Sequence, residues 1–85
     1  MPVKYFRLPE KVDKKISKLP LYIQNKIDRS FDLLKENPIL GVKLKGELSD
    51  YYKLRLGDYR IIYKFSGKTG ILEIFKIEHR QGVYK

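Results

Sequence analysis

Cysteine is absent from this sequence, histidine occurs once, and no apolar run approaches the roughly 18 residues that a membrane-spanning helix requires. Without cysteine there is neither a disulfide scaffold nor a thiolate metal site. With His79 as the single imidazole, zinc centres, papain-like pairs and serine triads lack parts. No Walker or dinucleotide glycine motif occurs, and the glycines fall in turns or loops. The acidic residues read as scattered over helix surfaces and turns, with no carboxylate pair on one strand face for glycosidase or two-metal chemistry. An RNP-type run of exposed aromatics between basic residues is also missing. No metal and no cofactor are therefore expected. The opening MPVKYFRLPEK has no signal-peptide apolar core, so no membrane association and a cytoplasmic location are expected.

What the chain has in excess is positive charge. Nineteen Lys and Arg stand against ten Asp and Glu, a formal charge of +9 on 85 residues. The excess is spread over both halves, so it belongs to the whole chain and not to a basic tail. A small, strongly basic domain usually meets a polyanion, most often nucleic acid. The length has room for one domain, residues 1–85, with a modest core that a partner would help to hold.

The pattern predicts an α+β fold. Val3–Leu8 alternates between two prolines and reads as a short strand. Val12, Ile16 and Leu19 recur at helical spacing after Pro9, and Ile23, Ile27, Phe31 and Leu34 mark a second, longer helix ended by Asn37-Pro38. Gly41–Gly46 reads as a connecting loop carrying Lys43 and Lys45. Tyr51–Leu56, Tyr59–Phe65 and Ile71–Glu78 then read as strands, separated by the hairpin signals Gly57-Asp58 and Ser66–Gly70. The expected order is β-α-α-β-β-β: an N-terminal strand, a two-helix hairpin and a three-stranded antiparallel meander, with the helices on one face of an antiparallel sheet.

Alternation along the strands sorts the cations. Tyr52, Leu54, Leu56, Tyr59, Ile61, Tyr63 and Phe65 fall on the face expected to meet the helices. Lys53, Arg55, Arg60 and Lys64 fall on the other, together with Tyr51 and Ile62. The last strand is apolar on both sides, which suits a central position, and Tyr51, Tyr59 and Tyr63 read as core or strand-pairing residues. Cations so placed repel one another by roughly 0.6 kcal/mol in water and about 2 kcal/mol at an effective dielectric near 20. Spacing alone fits a phosphate-binding face and a solvated, edge-protecting face equally well. Lys, Arg, His and Tyr can cleave RNA without a metal: a base activates the 2′-hydroxyl, a cation stabilises the phosphorane, and an acid protonates the leaving 5′-oxygen.

From Lys43 to Tyr84 the chain reads KLKGELSDYYKLRLGDYRIIYKF, an apolar strand, and then IEHRQGVY. This resembles the RelE/ParE superfamily of toxins of type II toxin–antitoxin systems, on the RelE-like mRNA interferase branch with its microbial-RNase fold. The resemblance implies a ribosome-dependent mRNA endonuclease that inhibits translation by metal-independent 2′-hydroxyl attack. It matches Lys53 to a basic catalytic strand, Arg60 to the grip on the scissile phosphate, Arg80 to phosphate binding or leaving-group protonation, and Tyr84 to a residue orienting the nucleotide. Arg55 stands where some members carry a lysine that serves as the base, which leaves that duty to Lys53, Tyr84 or His79. Lys43, Lys45, Lys64 and His79 complete the expected RNA-binding set. The implied partners are an acidic, RelB-like antitoxin in a toxin–antitoxin heterotetramer, and messenger and ribosomal RNA in the ribosomal A site. A ParE-like gyrase inhibitor and a decayed toxin that only binds RNA or antitoxin are the alternatives.

Overall fold

The computed structural model describes residues 3–48 and 50–79. In chain order these form β1 (Tyr5–Arg7), α1 (Glu10–Ser17), α2 (Leu21–Glu36), β2 (Val42–Lys43), a 3-10 turn (Gly46–Leu48), β3 (Tyr51–Leu56), β4 (Tyr59–Ser66) and β5 (Ile71–His79). The five strands make one sheet in the order β1-β5-β4-β3-β2.

Both helices begin on a proline. Pro9 and Pro20 are the N-caps, and their carbonyls accept the first backbone bonds, from Val12 and Asp13 in α1 and from Ile23 and Gln24 in α2. A proline at such a position gives up an N–H that no helix bond would use. Gln24 closes the junction from the other side: its amide donates to the carbonyls of Leu19 (2.9 Å) and Ser17 (3.3 Å), near the end of α1. The apolar stripes then face inward. Val12, Ile16, Ile23, Ile27, Phe31 and Leu34 are buried against Ile61, Tyr63, Leu72, Ile74 and Ile77 of the sheet. Each such aliphatic side chain contributes about 1.5–3 kcal/mol relative to exposure. The helices thus cover one face of the sheet, as the alternation of β3 and β4 requires.

Three details depart from the expected plan. The sheet is mixed, because β1 runs parallel to β5, with Tyr5 opposite Ile71 and Arg7 opposite Glu73. Every element from α1 to β4 lies between the two in the chain, more than the long connection that a parallel neighbour needs. The segment read as a loop contains a two-residue edge strand, since Val42 and Lys43 pair with Lys53 and Tyr52. Gly41 makes this approach possible, as a Cβ there would lie 2.6 Å from the carbonyl oxygen of Lys53.

The third detail concerns β5. It is interior, between β1 and β4, as its two-sided apolarity indicates. Its register nevertheless slips: Ile62 faces Lys76 while Tyr63 faces Ile74, which leaves Phe75 as an extra, bulged residue. The bulge resets the alternation, so that Leu72, Ile74 and Ile77 all reach the core. At the other hairpin, Gly57 adopts φ 59° and lets Leu56 pair directly with Tyr59.

Candidate functional site

The sheet face opposite the helices is organised by register. Directly opposed residues of an antiparallel pair share a face, with Cβ atoms about 4.5–5.5 Å apart. One row across β3, β4 and β5 is therefore Arg55, Arg60 and Glu78. The next is Lys53, Ile62 and Lys76, extended on the β2 side by Val42. A third is Tyr51, Lys64 and Glu73. Two tight hairpins and one bulge thus gather cations from three strands onto one surface.

At the centre lies a depression of about 240 Å³. Ile62, only 8% exposed, forms apolar lining, and Leu44, Tyr51 and Phe75 add to it. Tyr51 and Phe75 meet edge to face at 5.4 Å, and the Lys64 ammonium lies 5.7 Å from the Tyr51 ring centre. The polar lining is Lys53, Arg60, Lys76 and Glu78. Arg60 is largely recessed, with its side chain 27% exposed. Its Nη2 lies 3.6 Å from one Glu78 oxygen, and Lys76 Nζ lies 3.1 Å from the other. The Nε of Arg60 is buried and has no hydrogen-bond partner among the described residues. An unpaired buried donor costs about 1–3 kcal/mol, and an anion in the depression would relieve that cost.

Of the sequence-predicted residues, Lys53 and Arg60 line this depression, Arg55 stands opposite Arg60, and Lys64 borders it beside Tyr51. Lys45 is exposed between β2 and the 3-10 turn. Lys43 is paired with Tyr52 and so takes the helix-side face. His79 is paired with Tyr59 and packs edge to face on its ring at 4.7 Å, also on the helix side, away from Arg60. Arg80 and Tyr84 lie outside the described residues.

Sequence reasoning missed Tyr51 as a wall of the depression, along with Phe75, Lys76 and Glu78. Of the two readings of Tyr51, strand-pairing holds, since it pairs with Lys64, and core does not, since it faces the open side. The reading of the carboxylates as scattered is corrected too, because Glu73 and Glu78 both lie on the open face of β5, opposite Lys64 and Arg60. The signal was their register with β4, which the bulge at Phe75 shifts by one residue.

A larger groove of about 590 Å³ borders the β4–β5 turn, but its walls pair Lys64 and Lys68 with Asp50 and Glu73. That balance gives an anion no preference for it. Among the described residues, no group of three or more potential metal ligands converges, and no helix is long and apolar enough to cross a membrane.

The fold that carries this depression, a five-stranded sheet backed by a helical hairpin, is that of the RelE-like toxins. The chain belongs to the RelE/ParE superfamily: the family of the ParE toxin of the type II toxin–antitoxin system parDE matches residues 6–84. It is 30% identical over 54 residues to the toxin RelG of Mycobacterium tuberculosis, a match that spans 64% of this chain and 62% of that protein. Its fold is similar to that of a RelBE toxin–antitoxin complex from M. tuberculosis, with a TM-score of 0.80 and 26% identity over 94% of this chain and all of that one. An archaeal RelE–RelB complex from Pyrococcus horikoshii aligns with a TM-score of 0.81 and 28% identity, covering 92% and 96% of the two chains. The protein is a toxin of a type II toxin–antitoxin system.

Proposed function

We propose that this toxin is a ribosome-dependent mRNA endonuclease, and that the depression around Arg60 receives the scissile phosphate. The observation that carries the reading is the state of Arg60: recessed, opposed by Arg55, flanked by the lysines of the next row, and holding a donor with no partner among the described residues. Arginine offers a rigid fork of donors that matches a phosphate. Attack of the 2′-hydroxyl puts additional charge on the phosphate oxygens, and cations already in position stabilise it without reorganisation. Tyr51 and Phe75 supply aromatic surface on which a neighbouring base stacks. The chemistry yields a 2′,3′-cyclic phosphate and a 5′-hydroxyl end. The family resemblance adds Arg80 as a further phosphate-binding group and Tyr84 as the nucleotide-orienting one.

The proposed protein partner is a cognate antitoxin with acidic segments, since the M. tuberculosis and P. horikoshii relatives are complexes with antitoxins. The charge of +9 and the exposed Leu33, Ile39 and Leu40 near the end of α2 support such cover. A second reading, gyrase inhibition, is favoured by the matching family's ParE description. Two assays on the purified protein separate the readings. Cleavage of a translated message with no effect on gyrase supercoiling supports the endonuclease; inhibited supercoiling with an intact message supports the alternative.

A further inference from the structure

The depression that holds Arg60 also holds a carboxylate, and the endonuclease reading leaves it without a task. Glu78 faces Arg60 in the β4–β5 register and is 27% exposed. Its two oxygens lie 3.6 Å from Arg60 Nη2 and 3.1 Å from Lys76 Nζ. The first contact is an ion pair too long to be a hydrogen bond. Arg60 is therefore held loosely at Nη2, and its Nε has no hydrogen-bond partner among the described residues. An arriving phosphate can take over these donors while the carboxylate stays within reach.

The reaction needs a proton acceptor at the 2′-hydroxyl. Arginine does not release its proton at ordinary pH, and a lysine or tyrosine must first lose one. A glutamate carboxylate accepts as it stands. Among the described residues, the titratable side chains lining the depression are Tyr51, Lys53, Arg60, Lys76 and Glu78, with Arg55 opposite Arg60. Only Glu78 is an acceptor of that kind. The position matched to the family's base is Arg55, and His79 lies on the other face.

Resting on the endonuclease reading, we infer that Glu78 is the general base of the cleavage. Its carboxylate takes the 2′-hydroxyl proton as the O2′–phosphorus bond forms. The phosphorus–O5′ bond then breaks, and the departing 5′-oxygen takes a proton from a lysine ammonium of the cluster. Return of the proton from Glu78 to that lysine restores the site.

The test is single-turnover cleavage of a message on programmed ribosomes by the wild type, Glu78→Gln, Glu78→Asp and Arg60→Ala. Binding is measured in parallel with a message carrying a 2′-deoxynucleotide at the cut. Glu78→Gln is expected to cleave about 10²-fold more slowly or worse, to bind the 2′-deoxy message as tightly as the wild type or tighter, and to lose the rising limb of the pH–rate profile. Glu78→Asp is expected to keep that limb at a reduced rate, and it carries the test if the glutamine variant melts early. Cleavage by Glu78→Gln at the wild-type rate or faster overturns the inference and makes Glu78 a counter-ion that the substrate displaces. If Arg60→Ala is inactive in that same experiment, the endonuclease reading survives. A wild type that cleaves nothing removes both.

Discussion

Arg55 and Arg60 stand directly opposite each other across the β3–β4 hairpin. Like charges so placed destabilise a sheet by about 0.2–1 kcal/mol, and the fold keeps them together on the surface that carries its depression. Replacing Arg55 by Thr is expected to raise stability by up to about 1 kcal/mol at low salt and by less at high salt, where the repulsion is screened. The same change should weaken RNA binding and lower the salt slope of binding by about 1. Urea unfolding and filter binding at two ionic strengths check both halves.

Tyr63, fully buried, accepts a hydrogen bond at 2.9 Å from the backbone N–H of Gly41 and so ties β4 to the entrance of β2. Tyr63→Phe strands that donor and is expected to cost about 1–3 kcal/mol at neutral pH. Burial pushes the Tyr63 phenol above its ordinary value of 10.0, outweighing the opposite pull of the Gly41 bond. The contribution is complete below about pH 10 and is lost as pH rises from there through the raised folded-state value. The wild-type advantage over Tyr63→Phe should therefore shrink in strongly alkaline buffer. Urea unfolding of the two proteins on either side of pH 10 measures it.

Phe75 is the bulged residue of β5, 52% exposed, and its ring meets Tyr51 edge to face, with the Lys76 ammonium 5.6 Å from its centre. Phe75→Ala is expected to cost about 0.5–1.5 kcal/mol of stability through the lost aromatic pair. Its effect on RNA should be larger, about 1–3 kcal/mol of binding if one base stacks there. Thermal melting and binding of a 2′-deoxy-substituted message separate the two.

Much of this architecture was legible in the residues. The helical stripes from Val12 to Leu34 and the alternation through Tyr52–Phe65 assign the core, because periods of 3.6 and 2 reflect which face is buried. The same alternation puts Lys53, Arg55 and Arg60 on one face. The parallel β1–β5 pair was not legible, since pairing between chain ends leaves no local pattern. Nor was the role of Gly41, whose meaning depends on how closely Lys53 approaches. The site was read with its cations but without its carboxylate: Glu78 reaches Arg60 only because the bulge at Phe75 shifts the register of β5 against β4. His79 stands beside Glu78 in sequence, and alternation sends the two to opposite faces.

Arg60 is the centre of the proposed site. The most direct measurement is primer extension on a message being translated, with the wild type, a folded Arg60→Ala variant and a control lacking ribosomes. The prediction is discrete cleavage by the wild type within ribosome-occupied codons, none without ribosomes, and none by Arg60→Ala despite an unchanged fold. Cleavage of the translated message by Arg60→Ala at the wild-type sites and rate would contradict the account.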